Sequence, residues 1–341
     1  MKAGVYYNNR DVRVEEKPVP DVGDREILIK VMACGICGSD VLEWYRIKKA
    51  PLVLGHELAG EIVKVGKGSA FKVGDRVFAT HHVPCGECRY CKTNHETSCE
   101  VFHNENNFTP GGFSQFLKIS GRSLKTGVFK LSKNMSYEMA TFIEPLGTVV
   151  RGQRTAGTAK GDTVLVIGSG ITGILHIMLA KELGAVNIIA TDINEYRLGA
   201  AKKAGADFTI NAKQDVPVEV KKVNNGRPAD KVIICAGALS AAEQAIQSVD
   251  KGGTILFFAV PLPGEKVAID FTPFWRNDIS IRTSYGAAPR DNEEAIKLLS
   301  SGKIKATDII THSLPLDRIA EGFALAAAGK DCLKVIIQPN Q

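Results

Sequence analysis

The chain has 341 residues, of which 44% are hydrophobic and 23% charged, and its formal net charge is +6. That composition excludes a disordered or collagen-like chain, and the length points to two domains whose cores need no disulfide staples. The charges are scattered without a basic block, no apolar run of about 18 residues exists, and residues 1–14 carry no export-signal core, so neither nucleic acid nor membrane is expected and the cytoplasm is the expected location.

The first 145 residues read as short strands. Residues 26–32, 60–65 and 76–80 are rich in β-branched side chains and bounded by Gly, Pro or Asp, and few helices are visible among them. The pattern changes at residue 162. Residues 162–168 form a buried-strand run, 171–183 a helix by length and apolar spacing, 186–192 a second strand, and a helix follows from Asn194. Further strands are expected at 231–235, 254–259 and 279–284, helices at 291–301 and 316–328, and a closing strand at 333–338. Strands alternating with helices indicate an α/β chain with a parallel sheet covered on both faces.

Gly168-Ser169-Gly170-Ile171-Thr172-Gly173 joins the first of those strands to its helix, and Asp192 ends the next strand nineteen residues later. The glycines suit a tight turn, a backbone approach to a pyrophosphate and close helix packing, while the helix N-terminus offers free N–H groups to the anion. Asp192 can bond both ribose hydroxyls, and its charge opposes a 2′-phosphate, which selects NAD. Arg197 is a candidate cofactor contact or a solvated helix charge.

Cys85, Cys88, Cys91 and Cys99 follow the spacing Cys-x2-Cys-x2-Cys-x7-Cys. Four thiolates make a closed tetrahedral zinc site with no free position; two disulfides, four free thiols or an iron–sulfur cluster are the alternatives. Of the flanking histidines, His81, His82, His95 and His103, each reads as a surface or loop residue because the thiolates already complete the shell.

Cys34-Gly35-Ile36-Cys37-Gly38-Ser39-Asp40 is open to two readings, since Cys-x-x-Cys can be a redox pair. Gly55-His56-Glu57 and Phe142-Ile143-Glu144-Pro145 lie downstream, and Cys, His and Glu together suit zinc. These pieces, with the cysteine lobe and the glycine turn, occur in one order along essentially the whole chain. In that order they resemble the zinc-dependent medium-chain dehydrogenases, in the branch of sorbitol dehydrogenase and L-threonine 3-dehydrogenase.

The resemblance implies a GroES-like catalytic domain over residues 1–147 with the zinc lobe at 81–103, a Rossmann NAD-binding domain over 148–285, and a return segment, 286–341, that completes the first domain. It implies Cys37 and His56 as ligands of a catalytic zinc, with Glu57 and Glu144 completing the shell directly or through water and one position left open. Classical alcohol dehydrogenases carry cysteine where this chain has Glu144. Ser39 resembles the family's proton-relay hydroxyl and Asp40 the acid that orients His56. Sorbitol dehydrogenases carry a substrate-contacting tyrosine where this chain has Glu43, and His82 matches a histidine of threonine dehydrogenases, so both are candidate pocket residues. Arg46, Lys48 and Lys49 form a basic group that either receives a sugar phosphate or is a solvated charged turn. Cys34, Cys235 and Cys332 are expected to be buried small residues.

The expected activity is zinc- and NAD-dependent oxidation of a secondary alcohol to a ketone, the alcohol being a polyol, a sugar alcohol or its phosphate, with two zinc ions per chain. The resemblance also implies a homo-oligomer and favours a tetramer. L-Threonine 3-dehydrogenase is the rival activity, a non-enzymatic nucleotide-binding protein the rival of another class, and a thiol oxidoreductase built on Cys34 and Cys37 a third reading.

Overall fold

Six strands, β1 (Thr163–Ile167), β2 (Asn187–Asp192), β3 (Phe208–Asn211), β4 (Ala229–Ile234), β5 (Val249–Phe257) and β6 (Ser280–Thr283), pair in parallel in the order β3-β2-β1-β4-β5-β6. They belong to the unit Thr148–Tyr285 of a computed structural model that describes residues 1–341. Every residue of β1 is buried, as its unbroken Thr-Val-Leu-Val-Ile run requires of a strand covered on both faces. The strand order reverses between β1 and β4, so the turn after β1 opens at the crevice where parallel sheets of this kind take ligands. The helix Glu195–Ala204 starts on Asn194, whose Oδ1 accepts the Tyr196 N–H at 2.9 Å, and stops at Gly205 in the left-handed conformation.

The helix Ile171–Glu182 buries His176 completely, and neither of its ring nitrogens has a hydrogen-bond partner. Burial pushes its pKa down to about 3. Between that value and the ordinary 6.5 the unfolded chain binds the extra proton, so the native state loses stability as pH falls through that window and keeps it above 6.5. His176→Leu should therefore flatten the acid limb of the stability curve, recovering on the order of 3 kcal/mol at pH 4. Urea melts of the two proteins from pH 7 to pH 4 check this, and parallel acid limbs would refute it.

The second unit joins Met1–Gly147 to Gly286–Gln341. Its main sheet runs Ile310–Pro315, Lys334–Gln338, Ile27–Gly35, Glu57–Val65, Arg76–Ala79, Val128–Lys130. Ile27–Gly35 is central. It pairs antiparallel with Glu57–Val65 on one side, and on the other Ile336 and Ile337 lie opposite Gly35 and Cys34. Ile27, Ile29, Leu58, Ile62, Phe113 and Phe323 fill the core beneath it.

Several elements differ from the sequence reading. Helix Ile143–Ala156 was not expected, because Gly147, Gly152 and Pro145 break its apolar repeat. The hairpin Lys2–Asn8 with Asp11–Glu16 was also missed. The strand expected at 254–259 is Val249–Phe257, and the helix expected from 316 begins as a 3₁₀ turn before Ile319–Ala328. Cys34 and Cys332 are buried, but Cys235 lies just past β4 and is only half-buried. No helix is long and apolar enough to cross a membrane.

Candidate active site

Cys37 caps the turn Gly38–Val41, where the chain leaves the central strand. Its Sγ accepts from the Ser39 N–H at 3.4 Å and lies 3.3 Å from the Ser39 hydroxyl. Asp40 is fully buried; its Oδ2 accepts the Cys37 N–H at 3.1 Å, and its Oδ1 stands 3.5 Å from His56 Nδ1. Glu57 opens the neighbouring strand and His56 stands just before it, behind Gly55, whose φ of +98° and position 2.7 Å (for an added Cβ) from the Phe113 nitrogen admit no side chain. The donor atoms of Cys37, His56 and Glu57 all lie within 4.8 Å of one another.

The surroundings call for a cation. Burial lowers the His56 pKa, but Asp40 and Cys37 outweigh it and hold the imidazole up to about 10. Glu144, buried in the first turn of Ile143–Ala156, lies outside the close triad; burial pushes its carboxyl up to about 7, with Glu57 and Asp40 adding to the shift. A thiolate, an imidazole and a carboxylate, with a second acid against the imidazole's other nitrogen, are a donor set that zinc fits. One cation of the chain is already there. Lys334, 0% exposed, ion-pairs with Glu57 and donates to the Ile36 carbonyl at 3.2 Å.

The four sulfurs of Cys85, Cys88, Cys91 and Cys99 also lie within 4.8 Å of one another, and none is in a disulfide. Cys85 Sγ is 3.8 Å and Cys88 Sγ 3.6 Å from Cys91 Sγ. Zinc–sulfur bonds of about 2.3 Å set tetrahedral edges near ~3.8 Å, whereas a disulfide needs about 2.05 Å. The N–H groups of Glu87 and Cys88 point at Cys85 Sγ and lower its thiol pKa to about 6. Zinc fits this lobe as well.

In the other unit, the turn after β1 has the shape of a phosphate cradle. An added Cβ at Gly173 would sit 2.0 Å from the Gly168 carbonyl oxygen, so the third glycine is required for packing. Gly168 has a φ of +95°. At Gly170 a Cβ would meet nothing, and no side chain caps the helix that begins with Ile171 and Thr172, so the space and the N–H groups are open to an anion. Thr172 bonds the Cys235 thiol. Asp192 accepts from the N–H groups of Ser169 at 2.8 Å and Asn194 at 2.9 Å, which fix its carboxylate at the end of β2; Arg197 Nη1 is 3.9 Å away.

Some candidates are not gathered into the site. Glu43 is exposed at the start of the helix Glu43–Arg46. His82 is spent within the lobe, with Nδ1 3.1 Å from the Phe102 carbonyl oxygen and its ring stacked on Phe102. Its neighbour His81, read from sequence as a surface or loop residue, does lie in a bend, but it approaches His56 with ring centres 5.2 Å apart, and its buried Nδ1 has no partner. Lys48 and Lys49 are exposed, but Arg46 turns inward and is not part of a solvated turn. Lys334 was missed as well. Its one sequence signal is a lysine opening a strand of otherwise buried type.

A dinucleotide sheet and a β-rich unit bearing a Cys-His-Glu donor set together define a metal-dependent oxidoreductase class. Residues 23–126 match the family model "Alcohol dehydrogenase GroES-like domain" and residues 172–301 match "Zinc-binding dehydrogenase". The chain is 35% identical to sorbitol dehydrogenase of Bacillus subtilis (strain 168), with 100% of this chain and 98% of the relative covered. It is 37% identical to L-threonine 3-dehydrogenase of Pyrococcus furiosus, with 97% and 95% covered. The solved structure of galactitol-1-phosphate dehydrogenase from Escherichia coli matches with a TM-score of 0.87 at 26% identity, covering 99% of this chain and 100% of that one. The chain belongs to the zinc-dependent medium-chain dehydrogenases, built from a GroES-like and a Rossmann-like domain; it is an oxidoreductase acting on CH–OH with zinc and a nicotinamide cofactor.

Proposed function

We propose that the protein oxidises a secondary alcohol, a polyol, sugar alcohol or sugar-alcohol phosphate, to the ketone with NAD as acceptor. The observation that carries this is the Cys37–His56–Glu57 triad, with His56 and Glu57 buried and the half-exposed Ser39 hydroxyl beside the Cys37 sulfur. Cys37 and His56 would hold the catalytic zinc, with Glu57 and Glu144 completing the shell directly or through water, and Cys85, Cys88, Cys91 and Cys99 would hold a second, structural zinc. Zinc bound at the triad supplies a Lewis acid that polarises a hydroxyl and eases loss of its proton. Asp40 fixes the orientation of His56 through Nδ1, and Lys334 ion-pairs with Glu57. The turn Gly168–Gly173 receives the pyrophosphate, Asp192 takes the ribose hydroxyls, and Arg197 lies beside it. The alcohol gives a hydride from carbon to the nicotinamide and a proton to solvent, leaving the ketone.

The test is a reduction assay with NAD and NADP over sorbitol and other polyols, sugar-alcohol phosphates and L-threonine; the identity to threonine dehydrogenase is what keeps L-threonine in the panel. NAD should exceed NADP by roughly tenfold or more in kcat/KM, and Asp192→Ala should narrow the gap. A preference for NADP, or activity confined to L-threonine, would overturn the reading.

The protein also assembles, in this reading, as a homotetramer. Strand β6 is a free sheet edge, and Phe271 and Trp275 beside it are 66% and 83% exposed, which suits a second copy of the chain. Light scattering should show an oligomer, and Trp275→Glu should shift the mass downward; a parent that is monomeric at working concentration refutes the assembly.

A further inference from the structure

The N-terminal hairpin belongs to a separate three-stranded sheet, yet it reaches the chain near the metal donors at two points. Its first strand, Lys2–Asn8, pairs antiparallel with Leu52–Val53, the segment that leads into Gly55 and His56. Asn8 opposite Asp11 closes the tip, with Asn9 and Arg10 between them. The register slips between Tyr6 and Asn8, a bulge of the kind that re-aims a side chain. Arg10 is exposed, whereas Asn9 is half-buried, and its Nδ2 donates to the Val41 carbonyl at 2.8 Å. The Tyr6 hydroxyl donates to Asn9 Oδ1 at 2.8 Å, which fixes the end of the amide that faces Val41. Tyr6 is itself fully buried, with its ring centre 5.8 Å from that of Phe323 in the core.

Val41 ends the 3₁₀ turn that Cys37 caps. The last carbonyls of such a turn have no partner within it. Here side chains take two of them. Arg46 Nε donates to the Ser39 carbonyl at 3.0 Å, and Asn9 takes Val41. Arg46 belongs to the segment that follows the turn, whereas Asn9 comes from the hairpin, 32 residues away in sequence. Asp40, next to Val41, accepts the Cys37 N–H and faces His56 Nδ1, so a shift of the turn is felt at both donors.

We infer that Asn9 is a positioning residue of the metal site, anchoring the turn that presents Cys37 and Asp40 to the hairpin whose first strand also holds the approach to His56. This rests on the reading of Cys37 and His56 as ligands of the catalytic zinc. Asn9 touches neither metal nor substrate and acts through the Val41 carbonyl. Residues 42–51, which join the two ligand-bearing stretches, are mostly exposed, and exposed loops with few buried contacts open at little cost. The hairpin bridges the two ends of that loop from behind and holds their separation.

The experiment compares Asn9→Ala, Asn9→Gln, Tyr6→Phe and Asn8→Ala in the full chain loaded with zinc at both sites. Asn8→Ala is the control, because Asn8 Oδ1 takes the Arg10 N–H in the same tip without touching Val41. A chromophoric chelator reads zinc release, and Cys37→Ala, which keeps only the lobe zinc, marks the phase that belongs to the lobe. Asn9→Ala should release the catalytic zinc roughly 10-fold faster and lower kcat by a similar factor with KM within about twofold, the scale for disturbing a group that orients a metal ligand. The lobe zinc should leave as it does from the parent. Tyr6→Phe keeps the ring in the core and should show a smaller change of the same sign. Asn9→Gln keeps the amide on a longer stem and should recover part of the loss, while Asn8→Ala should release zinc like the parent. Parent-like release of the catalytic zinc from Asn9→Ala, equal effects of Asn8→Ala and Asn9→Ala, or faster release of both zinc ions would overturn the inference. Should Asn9→Ala fail to fold, Tyr6→Phe and Asn9→Gln decide it in the catalytic-zinc phase. A parent that holds zinc only in the lobe would overturn the reading of the metal site and the tether with it. A parent with both zinc ions but no activity on any secondary alcohol would defeat the proposed substrate alone, and zinc release would still decide the role of Asn9.

Discussion

Cys37→Ala should reduce kcat by roughly 10³-fold or more and lower the zinc content from two ions per chain to one. The thiolate is one of three donors within 4.8 Å, and it is the acceptor against which the Ser39 N–H and hydroxyl are placed. Losing a Lewis acid removes several kcal/mol of transition-state stabilisation, and each 1.4 kcal/mol is about a factor of ten. The fold should survive. Cys37 is half-buried in a turn, whereas the strand before it is anchored by Cys34 and Ile36, both buried in the core. Elemental analysis, circular dichroism and steady-state rates on one preparation check all three points. Parent-like turnover with one zinc per chain would refute Cys37 as a catalytic ligand.

Cys88→Ala should act on stability. The segment from Cys85 to Cys99 is mostly exposed and contributes little apolar surface of its own. What ties it down besides the sulfurs is Arg290, which donates to Asn94 Oδ1 at 3.0 Å and pairs with Glu96 at 3.0 Å. Exposed ion pairs contribute about 1 kcal/mol at most, while a structural zinc contributes about 10 kcal/mol or more in isolated fingers. Breaking the four-sulfur set should therefore lower Tm by roughly 10 °C and release one zinc, since several kcal/mol shift a domain of this size by a few degrees each. The folded fraction that keeps its catalytic zinc should turn over within a few-fold of the parent. A melting curve that overlays the parent's would remove the structural role of the lobe.

The parts of the site carried by contiguous residues were legible in the sequence. A glycine turn and its acid, or four cysteines within fifteen residues, declare their geometry because a few dihedrals and one loop set it. What sequence reading lost depends on side chains meeting from afar. Lys334 reaches Glu57 only because Lys334–Gln338 pairs with the central strand. Arg46 looks like its exposed neighbours Lys48 and Lys49 until the Ser39 hydroxyl and the buried Asp40 carboxylate turn it inward. Of the adjacent histidines 81 and 82, whose rings lie 3.7 Å apart, Phe102 takes the second and leaves the first against His56. Nothing in the spacing of the two residues decides that.

The pairing of Glu57 with Lys334 also sets a clock on synthesis. The two residues are 277 positions apart. At translation rates of about 5–20 residues per second, roughly 15–55 s separate the carboxylate from its lysine. Thr148–Tyr285 is one unbroken stretch that is fully made within that interval, whereas the sheet around the metal donors cannot close until Lys334–Gln338 exists. On the ribosome the nucleotide-binding half can mature first, and the sheet that carries Glu57 stays unfinished until the strand Lys334–Gln338 is added.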